Sequence, residues 1–266
     1  MKKHLLMACC VSSMVTISGC ATFAEIAGAD TATLNATATQ GFNQTITEAK
    51  QNKTLDTSSS TYQRINKVFL NLKPYADQMN QTGVKFNWEL AVLKSDQVNA
   101  YVAPGGKVVF YTGIVDRLKL TDAEIAAIMG HEMVHALEEH AKQKIGAQAL
   151  TGLALNIGLS ALGAQSGAPV GELGTAAAQL GAQVGIGLPY SRSLESEADQ
   201  GGLFLMAKAG YNPQAAITLW QKMNQLDGSS NGMTFLSTHP SNTQRIQAMK
   251  DNLAQAQAIY NQSNKR

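Results

Sequence analysis

The segment His131-Glu132-Met133-Val134-His135 constrains this chain more than any other. Its flanks, Ala123 to Met129 and Ala136 to Glu139, are made of helix formers. On a helix, residues four apart share a face, so both imidazoles reach one ion. Zinc held by two histidines still needs a third protein ligand and keeps a position for water. Glu132 stands where it can take a proton from that water. The pattern fixes only three residues, and an ordinary helix can carry it by chance. Two local details favour the metal. Ile125 to Gly130 is almost wholly apolar, and Met133, Val134 and Ala136 are uncharged, which predicts a buried, central helix. Gly130 beside His131 removes a side chain, as close packing or close approach of a substrate requires. Hydrolysis of a peptide bond is therefore the leading expectation.

The N-terminus predicts where such a protein works. Lys2 and Lys3 precede a short apolar stretch, Leu5 to Ile17, which is the pattern of a secretory signal and is too short to span a bilayer. It ends in Ile17-Ser18-Gly19-Cys20, which resembles a bacterial lipobox with cleavage before Cys20 and acylation of its sulfur. The alternative is an ordinary signal peptide with a chance cysteine. Ala21 after Cys20, where retention in the inner membrane would call for Asp, resembles the enterobacterial signal for the outer membrane, facing the periplasm. An anchor of two or more acyl chains is stable. Cys9 and Cys10 would leave with the signal and Cys20 would carry lipid, so the mature chain is expected to fold without disulfides. The formal charge is +2, and losing Lys2 and Lys3 leaves the mature chain near neutral. That balance gives no footprint for nucleic acid.

The chain divides into a lipoprotein signal at 1–19, a lipidated tether at 20–60 and one domain at 61–266. The tether is rich in Thr, Ala, Ser, Asn and Gln and is expected to hold at most a weak helix. Within the domain, Ile65, Val68, Phe69, Leu72, Tyr75 and Met79 recur at helical spacing from Tyr62 to about Gln81, with Pro74 as a bend. Phe86 to Leu93, Val98 to Ala103 and Lys107 to Tyr111 read as strands, the last two around Pro104-Gly105-Gly106. Thr121 and Glu124 form a capping box for the motif helix. After Ser193 the chain reads as helical almost to its end, with Pro213 and Pro240 near helix starts. The fold class is thus α+β, mostly helical, with a small sheet beside the motif helix. Lys144 to Pro189 is dense in Ala, Gly, Leu and Gln. A membrane span is one reading of it. Small-residue helices that pack or move beside the active site are the favoured one.

Two patterns compete for the third ligand. A histidine six residues after His135 would define one large group of peptidases, but that position is Ala141. His140 falls one residue short, and on a continuing helix it points to another face, so it reads as a surface histidine. A glutamate on a later helix is the other pattern. Glu195 and Asp199 are four apart and face the same way. Glu195 can complete the ligand set, while Asp199 can accept the free N–H of a motif histidine and raise its basicity. Glu197 lies on a different side and reads as a solvated acid.

The whole set resembles the HtpX-type zinc metallopeptidases, peptidase family forty-eight, a gluzincin group that includes the CAAX prenyl proteases. The resemblance is strongest to its bacterial lipoprotein and periplasmic branch, that of LoiP and BepA. It rests on Asn99 to Gly106 with Tyr111-Thr112-Gly113, on Gly130 to His135, on Ser191-Arg192 through Asp199, and on Thr238-His239-Pro240 with Arg245-Ile246. These segments stand in family order over roughly residues 62 to 250. The resemblance implies a zincin-like domain with one zinc per chain, bound by His131, His135 and Glu195, with Glu132 as general base and Asp199 behind the ligands. It implies a place near the metal for His239, either steadying an oxyanion or filling the open position and holding the enzyme latent. A helix-start histidine before Pro240 is the plainer alternative. Arg192 and Arg245 would brace Glu195, Asp199 or the substrate, or form surface salt bridges. Asn99, Ala100, Tyr101 and Val102 would offer a strand edge to an extended substrate, or serve only as one arm of a hairpin. The implied substrates are misfolded or stalled envelope proteins. The implied partners are polypeptides, the membrane through Cys20, and the outer-membrane assembly machinery. A chaperone or assembly-binding factor that seldom cleaves is the main rival, and a hydrolase of peptidoglycan crosslinks is a second.

Overall fold

The structure, a computed structural model, describes residues 21–26, 28–161, 189–226, 234–240 and 243–263. The signal segment, Cys20 and most of the Ala/Gly-rich stretch lie outside the described residues. Among the described residues, no helix is long and apolar enough to cross a membrane.

A four-stranded mixed sheet stands between two helical layers. Its strands are β1 (Leu55–Asp56), β2 (Glu89–Leu93), β3 (Ala100–Ala103) and β4 (Lys107–Tyr111), in the order β1-β2-β4-β3. β2 and β4 run parallel, with Glu89 opposite Lys107 and Leu93 opposite Tyr111. β3 is antiparallel to β4, Ala100 facing Phe110 and Ala103 facing Lys107, and it forms one edge. Successive side chains go to opposite faces. Val92, Ala100, Val102, Val108 and Phe110 enter the main core, while Ala91, Leu93, Tyr101 and Val109 enter a second cluster on the other face. Two buried faces explain why these strands are nearly continuous apolar runs.

What fills the second face corrects the expected tether. Residues Thr31–Gln51 form a 21-residue helix, α1, capped by Asp30, whose side chain accepts from the Thr33 N–H at 3.0 Å. Its buried positions are Leu34, Ala38, Phe42 and Ala49, a stripe one or two turns apart. Phe42 and Ala49 pack on Tyr101 and Val109. The stripe is narrow and set among Thr, Asn and Gln, so average composition conceals it. Just upstream, Ala24 and Ala29 pack with Leu34 against Ala141 and Ile145.

The main core lies on the opposite face. It contains α2 (Ser60–Met79), which continues through Pro74, and the motif helix α4 (Asp122–Leu137). A short α3 (Thr112–Leu118) links β4 to α4. α5 (His140–Ala161), α6 (Arg192–Lys208), α7 (Gln214–Leu226), α8 (Thr234–Thr238) and α9 (Thr243–Ser263) follow. Every residue of α4 from Glu124 to Leu137 is buried, so the motif helix is central, as its apolar run predicted.

The start of α4 is fixed by the expected capping box. The Glu124 N–H donates to Thr121 Oγ1 at 3.3 Å, and the Thr121 N–H returns to Glu124 Oε2 at 2.8 Å. Lys222 Nζ on α7 reaches the same oxygen at 2.7 Å. Burial pushes the Glu124 carboxyl up, but Lys222 and Thr121 outweigh it and hold it below its ordinary value. A carboxyl depressed in the folded state stabilises above its unfolded pKa, and that contribution fades as pH falls through the folded value. Glu124→Ala is therefore expected to cost about 2 kcal/mol at pH 7 and much less at pH 3. Urea unfolding at the two pH values checks this, and an undiminished difference at pH 3 would refute it.

Candidate metal centre

Three stretches of chain converge under the sheet edge. α4 supplies His131, Glu132 and His135, α6 supplies Glu195, and the residue after α8 is His239. His131, His135, Glu195 and His239 are all buried, and each offers one donor atom within 4.8 Å of the others. The Nε2 atoms of His131 and His135 are 3.1 Å apart. His131 Nε2 lies 3.3 Å from His239 Nδ1 and 3.6 Å from Glu195 Oε2. His135 Nε2 lies 3.6 Å from Glu195 Oε1, and His239 Nδ1 lies 2.8 Å from that oxygen. Glu132 faces the group from the side, its Oε1 3.2 Å from His239 Nε2.

The helix crossing that creates this convergence is a main-chain contact. A Cβ on Gly202 of α6 would lie 2.6 Å from the His131 nitrogen, and one on Gly130 would lie 2.9 Å from the Gly202 oxygen. Close packing is thus the reading of Gly130 that the structure supports. Glu195 and Asp199 lie two turns and one turn before Gly202, on the α6 face turned to α4.

Arg245 of α9 holds both acids. Its Nε and Nη2 reach Asp199 at 2.7 and 2.8 Å, and Nη1 reaches Glu195 Oε2 at 2.7 Å. The guanidinium lies 4.2 Å from the centre of the Trp220 ring, which covers it. Asp199 Oδ1 in turn stands 3.0 Å from His131 Nδ1. Burial would push both carboxyls up, yet Arg245 and the histidines hold Asp199 and Glu195 below the ordinary carboxylate range. Burial also drives His135 well below the usual imidazole value, so it is neutral and its Nε2 can be a free lone pair. Burial pushes Glu132 up against the pull of His239 and His131. His239, lowered by burial but flanked by Glu132 and Glu195, ends above its ordinary value.

Two expectations are corrected here. His140 is completely buried, not a surface histidine. α4 ends at Leu137 and Glu139 takes a left-handed φ of 51°, so the helical projection from His135 does not apply. His140 opens α5 instead and turns back, its Nδ1 2.8 Å from His135 Nδ1. Glu197 is exposed, as expected, but it meets His140 Nε2 at 3.2 Å. Arg192, unlike Arg245, sits exposed at the start of α6 and braces neither acid. Sequence reasoning also passed over Tyr190, whose ring stacks on His135 with centroids 4.1 Å apart. No spacing singles out a lone aromatic before a helix.

β3 sits directly over the group. The Val102 N–H faces the Glu132 carboxylate, Asn99 Oδ1 caps the Ala100 N–H at 3.0 Å, and Val98 O accepts from the Phe235 N–H of α8. The edge groups of this strand thus point at the site, while the Tyr101 side chain points away beneath α1. Of the four strand residues, Tyr101 offers a ligand nothing here, because its backbone pairs with Val109 of β4 and the outward groups are those of Ala100 and Val102. His239, three residues after Leu236, is held near the donor group by the same α8 segment.

The donor set fits zinc. Ligand bonds of about 2.0–2.2 Å in a tetrahedron place neighbouring donors about 3.3 Å apart, and the observed separations of 3.1, 3.3 and 3.6 Å bracket that value. Imidazole and carboxylate donors, with His131 backed by Asp199 and Glu195 by Arg245, are the chemistry zinc selects.

Comparison with known proteins agrees with this geometry. Metalloprotease YcaL of Escherichia coli is 30% identical over 215 residues, covering 80% of this chain and 78% of that protein. Metalloprotease LoiP of Escherichia coli is 27% identical over 179 residues, covering 66% of each. Mitochondrial metalloendopeptidase OMA1 of Schizosaccharomyces pombe is 34% identical over 171 residues, covering 64% of this chain and 48% of its own length. Among the OMA1 proteins of fission yeast, Arabidopsis thaliana and Saccharomyces cerevisiae, this chain spans between a third and just over half of the relative. The sequence model of Peptidase family M48 matches residues 59–253, a stretch that contains the motif helix, Glu195, His239 and Arg245, and the chain belongs to that family.

Proposed function

We propose that this protein is a zinc-dependent metalloendopeptidase of the bacterial cell envelope. The observation that carries the reading is the convergence of His131, His135 and Glu195 on one buried point with Glu132 beside it. His131, His135 and Glu195 would hold the ion. Once bound, zinc would bring the pKa of a water to about 7 and polarise a carbonyl. Glu132, its carboxyl raised by burial, takes the water's proton and returns it to the leaving amine. The outward C=O groups of Ala100 and Val102 on β3 would bind an extended chain by its backbone, which favours unfolded polypeptide over any one sequence. Misfolded or stalled envelope proteins fit that preference. The lipobox-like Ile17 to Cys20 supports an outer-membrane anchor facing the periplasm. Purified protein is expected to carry one zinc per chain and to lose it in Glu195→Ala. A metal-free parent with intact ligands would overturn the assignment.

One observation favours latency in the isolated protein. His239 supplies a fourth donor to the group, and four protein donors on one ion would leave no tetrahedral position for a water. His239→Ala is expected to raise turnover of unfolded casein several-fold. A fall of tenfold or more would place the side chain in the transition state instead. Unchanged cleavage in this variant, with zinc present, would leave a binding or assembly factor as the better description.

A further inference from the structure

The two motif histidines are backed in different ways. His131 meets Asp199 directly, and Arg245 pins that acid. Among the described residues, His135 has no acid at its Nδ1. Its neighbour there is a second imidazole, His140 Nδ1, at 2.8 Å, and the far nitrogen of His140 meets Glu197 Oε2 at 3.2 Å. His140 is wholly buried, whereas the Glu197 side chain is half exposed.

With one proton on each ring, the proton positions in this chain of contacts follow from one end. A carboxylate only accepts, so His140 carries its proton on Nε2 and donates it to Glu197. With a single proton on the ring, His140 Nδ1 is then a lone pair. It accepts from His135 Nδ1–H, which leaves His135 Nε2 unprotonated and aimed at Glu195 and His131. A single surface acid thus selects the tautomer of an imidazole two residues deeper. A surface loop histidine would have no such geometry, and the break at Glu139 is what brings His140 around.

We propose that His140 is the positioning residue for His135, with Glu197 as the group that sets its tautomer, so that both residues contribute to metal affinity without touching the ion. This rests on the zinc reading above. The test is the affinity of the metal-free full chain for zinc, read by competition with a chromophoric chelator, alongside the visible spectrum of the cobalt-loaded protein.

His140→Ala is expected to weaken zinc binding about tenfold to a hundredfold, the range seen when such supporting partners are removed, and to alter the cobalt bands. In His140→Asn the amide oxygen falls where the imidazole Nδ1 was, so most of the affinity should return. Glu197→Ala, a surface change, should weaken binding by a smaller factor and should have no effect in the His140→Asn background. Equal losses in His140→Ala and His140→Asn would assign the residue to packing alone and overturn the proposal. So would unchanged affinity in both His140→Ala and Glu197→Ala while the parent binds zinc. If His140→Ala fails to fold, Glu197→Ala alone and in the His140→Asn background decides the matter. A parent that binds no zinc overturns the zinc reading, and this proposal with it.

Discussion

Glu132→Gln is expected to lower the turnover of casein by about a hundredfold to ten-thousandfold, the usual contribution of a positioned general base, while zinc content stays at that of the parent. The two readouts separate because Glu132 is not one of the four clustered donors. Its carboxylate lies beside them, 3.2 Å from His239 and under the Val102 N–H. Glutamine keeps the shape and still accepts from Val102, but it cannot take a proton from water. Cleavage within tenfold of the parent, in protein with its zinc in place, would remove Glu132 from the chemistry. A variant that lost zinc as well would show that Glu132 organises the site rather than acting in it.

The largest effect on stability is expected from Arg245→Ala. Asp199 and Glu195 are both nearly inaccessible, and the guanidinium makes three contacts of 2.7–2.8 Å to them. Removing it leaves two buried carboxylates facing each other's charge and uncovers the face of Trp220. Breaking a buried ion pair from one side costs about 3–5 kcal/mol, or roughly 10–15 °C in melting temperature for a domain of this size. Calorimetry in the presence of a chelator checks this, since bound metal would mask the loss. Arg245→Lys should recover little, because an ammonium cannot span both acids and lie flat on the indole. A loss under 1 kcal/mol in chelator would show that the acids are satisfied by their histidines alone.

The sequence made some parts of this arrangement readable and concealed others, for physical reasons. His131 with His135, and Glu195 with Asp199, are pairs four apart, and an unbroken helix turns that spacing directly into a shared face. The strands at 89–93, 100–103 and 107–111 stood out because both of their faces are covered. His140 was misplaced by the same helical rule, because the helix stops at Leu137 and a non-glycine residue takes the left-handed turn. Gly201-Gly202 carries no chemistry, yet it is where α6 touches the His131 backbone, and its only mark was a glycine pair inside a helical run. α1 escaped notice because four buried residues in 21 do not alter a polar composition.

That last helix changes the distance over which the proposed anchor can work. A free tether of forty residues would let the domain wander far from the bilayer. With α1 laid on the sheet, only Ala21 to Asp30 separate Cys20 from a packed element, at most about 35 Å if drawn straight and less with residues 21–26 helical. Ala24 and Ala29 already lie against α5, so even that length is partly taken up. An acylated Cys20 would therefore hold the cleft within a few nanometres of the lipid headgroups. Polypeptide emerging at the membrane surface would fall within its reach, and chains deep in the aqueous compartment would have to diffuse to it.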